Sequence, residues 1–219
     1  MKKAFVFFML VFVSPISAAL GFDSGDFQII HTDKVCLQIN EKSSLSLEEE
    51  AALGDDAERF YYHHTEAGFA CELTRWFEAE IAYRHIWERE DGRGRWEEES
   101  RPHINGKIKW QWWDIDLSDR NRFEFRFRKD KDFATRYRNE IKIKPPLRWT
   151  KMEWRPFASY EYVFDFDKGK HTCNKYKAGF SGQITKNIEF EMYYVAECSR
   201  SSDEWDTISG IQTELGFSF

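Results

Sequence analysis

The sequence predicts an all-β protein, an antiparallel transmembrane β-barrel of about 12 strands, with about 10 strands as the alternative. Apolar and polar residues alternate with a period of two from residue 66 to the end of the chain. The alternating segment from Phe77 to Trp87 is long. At about 3.3 Å per residue and a tilt of about 40°, it crosses roughly 25 Å, the height of the apolar band of an outer-membrane barrel. The chain also ends in an apolar strand whose last residue is Phe219.

The same alternation defines the later strands in turn. Their apolar members are predicted to face outward, and the polar members between them to line the interior. The outward residues are Phe77, Ala79, Ile81, Tyr83, His85 and Trp87; Phe123, Phe125 and Phe127; Ile141 and Ile143; Ala158, Tyr160, Tyr162 and Phe164; Ile188, Phe190, Met192 and Tyr194. Residues 26–40 are poorly patterned and predict an opening pair of strands, broken near Thr32 and Asp33.

Both chain ends indicate export to the cell outer membrane. Lys2 and Lys3 precede an apolar run over residues 4–13 and the small residues 17–19, which predicts a signal peptide over 1–19 and a barrel domain over 20–219. The apolar run is far shorter than the roughly 20 residues of a spanning helix. At the other end, Leu215, Phe217 and Phe219 are typical of the signal that barrel assembly machinery reads. The expected partners are that machinery and outer-membrane lipid.

Connections between the strands fall into two length classes. Short ones near 41–43, 74–75, 111–114, 145–150 and 185–186 are assigned to the periplasmic side, and longer ones near 55–60, 91–95, 129–133, 167–171 and 199–206 to the extracellular side. Tryptophans group at both sides, as the aromatic belts of a membrane protein do. They are Trp76, Trp110, Trp112, Trp113, Trp149 and Trp154 on the periplasmic side, and Trp87, Trp96 and Trp205 on the other.

Charge and length exclude several classes of protein. The chain of 219 residues carries 32 basic and 38 acidic side chains, a net charge of −6. An acidic chain without a basic patch gives no reason to expect a nucleic-acid partner. No linker or repeat divides the chain, so a single-domain monomer is expected.

Three short phrases resemble a known family. They are Glu99-x-Arg101-Pro102, Asn121-Arg122-x-x-x-Arg126 and Arg136-x-Arg138-Asn139, in this order. Together they are similar to the uncharacterised outer-membrane barrels known as domain of unknown function 2490, over most of the chain from about Phe27 to Phe219. A departure is Asn174-Lys175, where such proteins often carry Asn-Arg. The resemblance implies an outer-membrane barrel of this size and brings no catalytic residue or substrate.

The predicted interior is densely charged. Basic side chains concentrate on the middle strands, and acidic ones dominate the strands on either side. The candidate lumen-lining and selectivity residues are Arg101, Lys107, Lys109, Arg122, Glu124, Arg126, Arg128, Arg136, Arg138, Glu140, Glu161, Glu189 and Glu191. If the lumen holds water, opposed walls select solutes by charge. If it is narrow, the same groups pair and close it. A narrow channel and a closed structural barrel therefore both remain open.

The sequence predicts no enzyme, no metal and no cofactor. His103 is the one candidate general base, and it lacks a serine two residues away on its strand. His63 and His64 point to opposite faces if they lie on a strand, so they are read as a solvated loop end rather than as a metal site. A soluble periplasmic β-barrel or sandwich that binds an apolar ligand is the alternative function, and a hydrolase in the barrel wall ranks below it.

Two local features complete the expectations. Pro102 lacks a backbone donor and predicts a bulge that turns Arg101 further into the lumen. Cys173 and Cys198 lie at mirrored distances from the turn at 185–186, which makes them candidates for a disulfide in an oxidising compartment.

Overall fold

A computed structural model describes residues 25–89, 94–129, 131–150, 152–200 and 204–219. The expected signal peptide over 1–19 lies outside the described residues. The strands are β1 Phe27–Asn40, β2 Ser43–Gly54, β3 Arg59–Thr74, β4 Phe77–Arg89, β5 Trp96–Trp112, β6 Ile115–Arg128, β7 Ala134–Lys144, β8 Arg155–Asp165, β9 Lys170–Thr185, β10 Ile188–Arg200 and β11 Trp205–Ser218. No helix within the described ranges is both long enough and apolar enough to cross a membrane.

The strands form one closed barrel, which confirms the predicted fold. Each strand pairs with the next in antiparallel register, and β1 closes the barrel by pairing with β11. This seam is parallel and runs from Phe27 opposite Ser209 to Cys36 opposite Ser218. Residues 26–40, expected as a broken pair, form the single strand β1. The described chain therefore has eleven strands, between the two expected counts. An odd number of alternating strands leaves the first and last running in the same direction, so their seam is parallel.

The two ends of the barrel differ in their connections. Two-residue turns at 41–42, 75–76, 113–114 and 186–187 join strands at one end, which we call the turn end. The opposite end, where residues 55–58 and 166–169 connect strands, is the loop end. One expected short turn is longer, because β7 ends at Lys144 and β8 begins at Arg155. Within this connection Trp149 and Trp154 exchange two backbone hydrogen bonds of 2.8 and 2.9 Å, so it satisfies its own polar groups.

Packing in this barrel is inverted relative to a water-soluble domain. Glu124 and Glu161 are 0% and 1% exposed, whereas Ile81 on the outer wall is 62% exposed. Apolar burial inside the barrel includes a small cluster of Phe157, Tyr193 and Val195, against which Ile30 packs. This is the arrangement that the alternation predicts.

The tryptophans lie in two groups, at opposite ends of the barrel. Trp113 is 86% exposed in the turn at 113–114. At the loop end, the ring of Trp96 lies 5.4 Å from that of Phe60, and the Arg89 guanidinium lies 4.7 Å from the Trp96 ring. Amphipathic aromatic and arginine side chains are typical of the level where an apolar surface gives way to water.

Pro102 does not produce the expected bulge. The register between β5 and β6 is the same on both sides of it, with Ser100 opposite Phe127 and His103 opposite Glu124. The two strands simply lack pairs at Arg101 and Pro102. Because Pro102 has no backbone N–H, the pairing of the two strands is interrupted there. No extra residue is inserted, so there is no bulge.

The parallel seam depends on a glycine. A Cβ on Gly210 would lie 2.5 Å from the backbone oxygen of Gln28 on β1. Gly216 is six residues further along β11, and the nearest atom to its Cβ would be 3.8 Å away. Close approach of the two backbones at the seam thus requires the absence of a side chain at position 210.

We expect Gly210→Ala to lower the free energy of unfolding by about 1–3 kcal/mol, because the backbone of β1 must move to admit the methyl group. Gly216→Ala, a matched change on the same strand, should cause no loss. Urea unfolding of the detergent-folded barrel, followed by tryptophan fluorescence, measures both. Equal stability of the two variants would contradict the seam described here.

Candidate functional site

The interior residues predicted from the sequence lie where expected. A cavity of about 1520 Å³ is lined by inward side chains from all eleven strands. It is bordered by Arg101, Lys107, Lys109, Arg122, Arg126, Arg128, Arg136, Arg138, Glu140, Glu189 and Glu191. The two remaining predicted residues, Glu124 and Glu161, are covered by their arginine partners and have no exposed surface of note. Alternation on each strand thus places the whole predicted set inside.

Glu124 is the centre of the largest group of ion pairs. Its carboxylate lies 2.8 Å from Arg136 Nη2 and 3.2 Å from Arg138 Nη1, both on β7. Arg122 Nη1 and Arg101 Nη1 lie further away, at 3.7 and 3.8 Å. One fully buried carboxylate therefore faces four guanidinium groups from three adjacent strands. Such a group is stable only while its charges remain paired.

A second group connects β6 to β9. Arg120 Nη2 lies 2.5 Å from Glu140 and 3.1 Å from Glu161. Glu161 also pairs with Arg138, and Glu140 pairs with Lys177 at 3.2 Å. Because Arg138 contacts Glu124 as well, the two groups form one continuous network. Basic residues of β6 and β7 are thus paired with carboxylates on the same strands and on the neighbouring β8. These pairs neutralise much of the positive charge that the sequence predicted for this wall.

On the other side of the lumen, Arg84 joins the carboxylates of β2 and β3. Its Nε lies 2.5 Å from Glu66, and its Nη2 lies 3.3 Å from Glu48. Glu48, Glu66 and His64 offer ligand atoms within 4.8 Å of one another, a donor set that suits a divalent cation. Arg84 already supplies a positive charge to both carboxylates, and His64 Nε2 lies 3.2 Å from Glu48. The arrangement therefore satisfies its charges with the protein's own groups.

His103, the expected candidate base, is enclosed in the lumen wall. Its side chain is 0% exposed. Its Nε2 lies 3.6 Å from Glu66 Oε1 and has no hydrogen-bond partner among the described residues. The structure brings it next to Arg101 and Glu66, and no hydroxyl contact is recorded at the ring. A solute has no access to this imidazole in the described conformation.

Lys107 differs from the other predicted basic residues. It lines the cavity, yet its ammonium group forms no ion pair with any side chain in the described part of the chain. Its neighbour on the same face, Lys109, pairs with Glu78 at 2.6 Å and with Glu72 at 3.5 Å. Glu78, the partner of Lys109, lies directly opposite Lys107 on β4. Lys107 is therefore a positive charge without a direct ion pair in the described network.

A row of polar side chains lies on the outer wall, where the alternation did not predict them. His31 and Asp33 on β1, Glu49 on β2 and His63 and Thr65 on β3 all have outward parity. His63 and His64 were expected at a loop end, and both lie within β3 instead. His63 points outward and His64 inward, as adjacent strand residues must. The available signal was the poor apolar pattern of residues 26–40, which reflects charged residues at outward positions.

A smaller outward group lies on β6 and β7. The amide nitrogen of Asn139 donates to Asp119 at 2.5 Å and to Asn121 at 3.3 Å, and Tyr137 donates to Asn121. Two of the family-like phrases, Asn121-Arg122 and Arg138-Asn139, thus have one member outside and one inside. The asparagines hold an outward carboxylate, and the arginines belong to the interior network.

The expected disulfide between Cys173 and Cys198 is not formed. All four cysteines, which lie in the described part of the chain, are free. Cys173 is buried on the lumen side, opposite Ser199. Cys198 has outward parity and accepts a hydrogen bond from Thr207 at 3.2 Å. Mirrored sequence positions did not give a bond because the two side chains lie on opposite faces of the sheet.

Thiol titration of the denatured protein, purified without reductant, should therefore count four thiols. The reason is that none of the four cysteines is bonded to another in the structure. A count of two would restore the pairing predicted from the sequence.

Replacing Glu124 by Gln should cost about 3–5 kcal/mol of unfolding free energy, because four buried guanidinium groups lose their common carboxylate. The matched control is Glu153→Gln, which breaks an exposed pair with Arg148 and should change stability by less than about 1 kcal/mol. Urea unfolding in detergent gives both values. A near-neutral Glu124→Gln would contradict the central role of this carboxylate.

Comparison with known proteins supports the fold. The structure is similar to LpxR from Salmonella typhimurium, with a TM-score of 0.54 and 10% sequence identity, over 85% of this chain and 87% of LpxR. At this identity the likeness shows the fold alone. LpxR is an outer-membrane enzyme, so the expectation that the present chain is not an enzyme is contradicted. That expectation rested on the absence of a familiar nucleophile motif.

The family is shown by the sequence itself. No curated protein sequence matches the chain. Residues 27–207 match the family described as protein of unknown function (DUF2490). The match covers most of the chain, agrees with the phrases quoted above, and includes ten of the strands in full. This chain, an outer-membrane-type β-barrel, therefore belongs to the DUF2490 family.

Proposed function

We propose that this protein is a monomeric barrel of the cell outer membrane that forms a narrow, water-filled channel with a preference for anions. Large apolar side chains on the outer wall, such as Leu47 and Ile81, are 51% and 62% exposed, and lipid is the partner that would cover them. The turn end lies in the periplasm and the loop end outside the cell. The signal peptide directs export, and Leu215, Phe217 and Phe219 are read by the barrel assembly machinery.

One observation carries the channel proposal, the cavity of about 1520 Å³. Its lining extends from Lys109 and Glu189 near the turn end to Arg128 near the loop end, and every strand contributes to it. A cavity that reaches both ends, with charged walls, is the environment in which water and small ions pass.

The charge of the lining supports the preference for anions. β5, β6 and β7 carry the basic wall, and Lys107 on it forms no ion pair within the described residues. A fixed positive charge in a narrow, partly desolvated passage attracts anions and repels cations. The surrounding ion pairs hold the passage in shape.

A closed structural barrel is the second candidate function. The observation in its favour is the complete burial of Glu124 and Glu161, whose partners reach across from neighbouring strands. Such a layer blocks solutes if it does not open.

Planar-bilayer recording of the purified barrel should show discrete openings and, in a salt gradient, a reversal potential on the anion-selective side. Lys107→Gln should move that potential toward zero, because it removes a positive charge from the lining of the cavity. Lys186→Gln, the same change in an exposed turn outside the lumen, should leave it unchanged. A silent bilayer that contains inserted barrel would exclude the channel and support the closed barrel.

A further inference from the structure

The outward polar row, formed by His31, Asp33, Glu49, His63 and Thr65, is flanked by apolar residues of the outer wall. On β1, Ile29 lies on the loop-end side of His31 and is 45% exposed, and Leu37 lies on the turn-end side of Asp33 and is 50% exposed. On β2, Leu47 and Leu45 continue outward from Glu49 toward the turn end. A charged side chain facing lipid at such a depth is costly, and ionisable residues there generally serve a function.

Three of these groups lie in contact, one after another. The Asp33 carboxylate lies 3.3 Å from His31 Nε2. The other ring nitrogen, His31 Nδ1, lies 2.8 Å from the hydroxyl of Thr213 on β11. The parallel seam creates this contact, because it places His31 directly opposite Thr213. A carboxylate, an imidazole and a hydroxyl in series are the parts of a nucleophile activated by a general base.

Neighbouring residues extend the site along the wall. Glu49 lies directly opposite Asp33 across β1 and β2, although like charges at such positions repel. Its carboxylate holds His63 Nε2 at 2.7 Å and accepts a hydrogen bond from Thr65 at 2.7 Å. The His63 ring stacks on Trp87, with centroids 5.2 Å apart. A second carboxylate–imidazole pair is therefore fixed in orientation beside the first.

The outer series differs from a similar series around His64 inside the barrel in the exposure of its side chains. In the lumen, His64 contacts Glu48 at 3.2 Å and the Tyr62 hydroxyl at 3.0 Å, but its side chain is 0% exposed. On the outer wall, His31 and Asp33 are 47% and 50% exposed. A molecule in the surrounding leaflet reaches the outer series and has no access to the inner one.

We propose that Asp33, His31 and Thr213 form a hydrolytic site for the acyl esters of membrane lipids. The inference rests on the outer-membrane location proposed above and is independent of conduction through the lumen. Only a molecule dissolved in the leaflet diffuses along the apolar wall to this row. Membrane lipids carry ester bonds between the apolar acyl chains and the polar headgroup, at the depth of a polar row that lies just inside the aromatic belt.

The reaction uses these three groups and water. Thr213 Oγ1 attacks the ester carbonyl carbon while its proton passes to His31 Nδ1, and Asp33 accepts the Nε2–H that holds the ring in this tautomer. The ester C–O bond breaks, and the proton on His31 passes to the departing alkoxide, which leaves as an alcohol. Water then attacks the acyl-threonine ester, gives a proton to His31, and releases the fatty acid as Thr213 recovers its proton. One ester and one water thus give one acid and one alcohol.

The test places the full-length barrel in two kinds of vesicle, one of phosphatidylethanolamine and one of phosphatidylethanolamine with lipopolysaccharide. Mass spectrometry measures released fatty acid. Release in the first identifies phospholipid esters as substrate, and release only in the second identifies those of lipopolysaccharide. No release from either vesicle, with insertion verified by protease protection, would overturn the proposal.

Four variants examine the roles of the residues. His31→Gln and Thr213→Val should each lower the rate at least about 100-fold. Thr213→Ser keeps a nucleophilic hydroxyl and should retain activity. Asp33 positions His31, so Asp33→Asn should lower kcat by up to about 10⁴-fold with KM unchanged. A structural role would instead alter stability and leave hydrolysis in place.

The matched control is His171→Gln. His171 lies on β9, stacks on Tyr162 at 4.4 Å, and has no carboxylate contact recorded at its ring. This variant should hydrolyse lipid at the rate of the unchanged protein. Loss of activity equal to that of His31→Gln, or activity in His31→Gln and Thr213→Val equal to that of the unchanged protein, would show that the series is not the site.

Discussion

Closure of the hydrogen-bonded ladder is the constraint on which the rest of the structure depends. Each of the eleven strands gives its backbone groups to two neighbours, and the last edge is removed when β1 pairs with β11. A closed sheet has no edge strand, so no row of unpaired backbone N–H and C=O groups faces an apolar environment. Closure also fixes the side chains, because alternate residues of every strand must then point either into one enclosed space or out of it.

The interior is consequently filled with charge, and charge must be compensated there. Glu124 meets four arginines, and Arg138 links it to Glu161 and onward to Glu140 through Arg120. Removing one partner from such a group leaves buried charges unpaired, which is why the network acts as a unit. The network also shapes the cavity, since its members come from adjacent strands. Lys107 lines that cavity without an ion pair among the described residues.

The outer wall is mostly apolar, in contrast to the charged interior. Most of its positions are apolar, so the cluster around His31, Asp33 and Glu49 is an exception that the fold alone does not require. The inner series at His64 and the outer series at His31 have similar partners, but only the second meets the surroundings of the barrel.

The sequence by itself determined the closed barrel, the inward and outward faces, and the charged residues of the lumen. It did so because a period of two places side chains on fixed faces whatever the register. It did not determine the parallel seam, the contact of His31 with Thr213, or the separation of Cys173 from Cys198. Those features join positions far apart in the chain, and they depend on which residues the register places opposite one another. Only the tertiary structure decided them, because register follows from closure of the whole sheet and not from any local pattern.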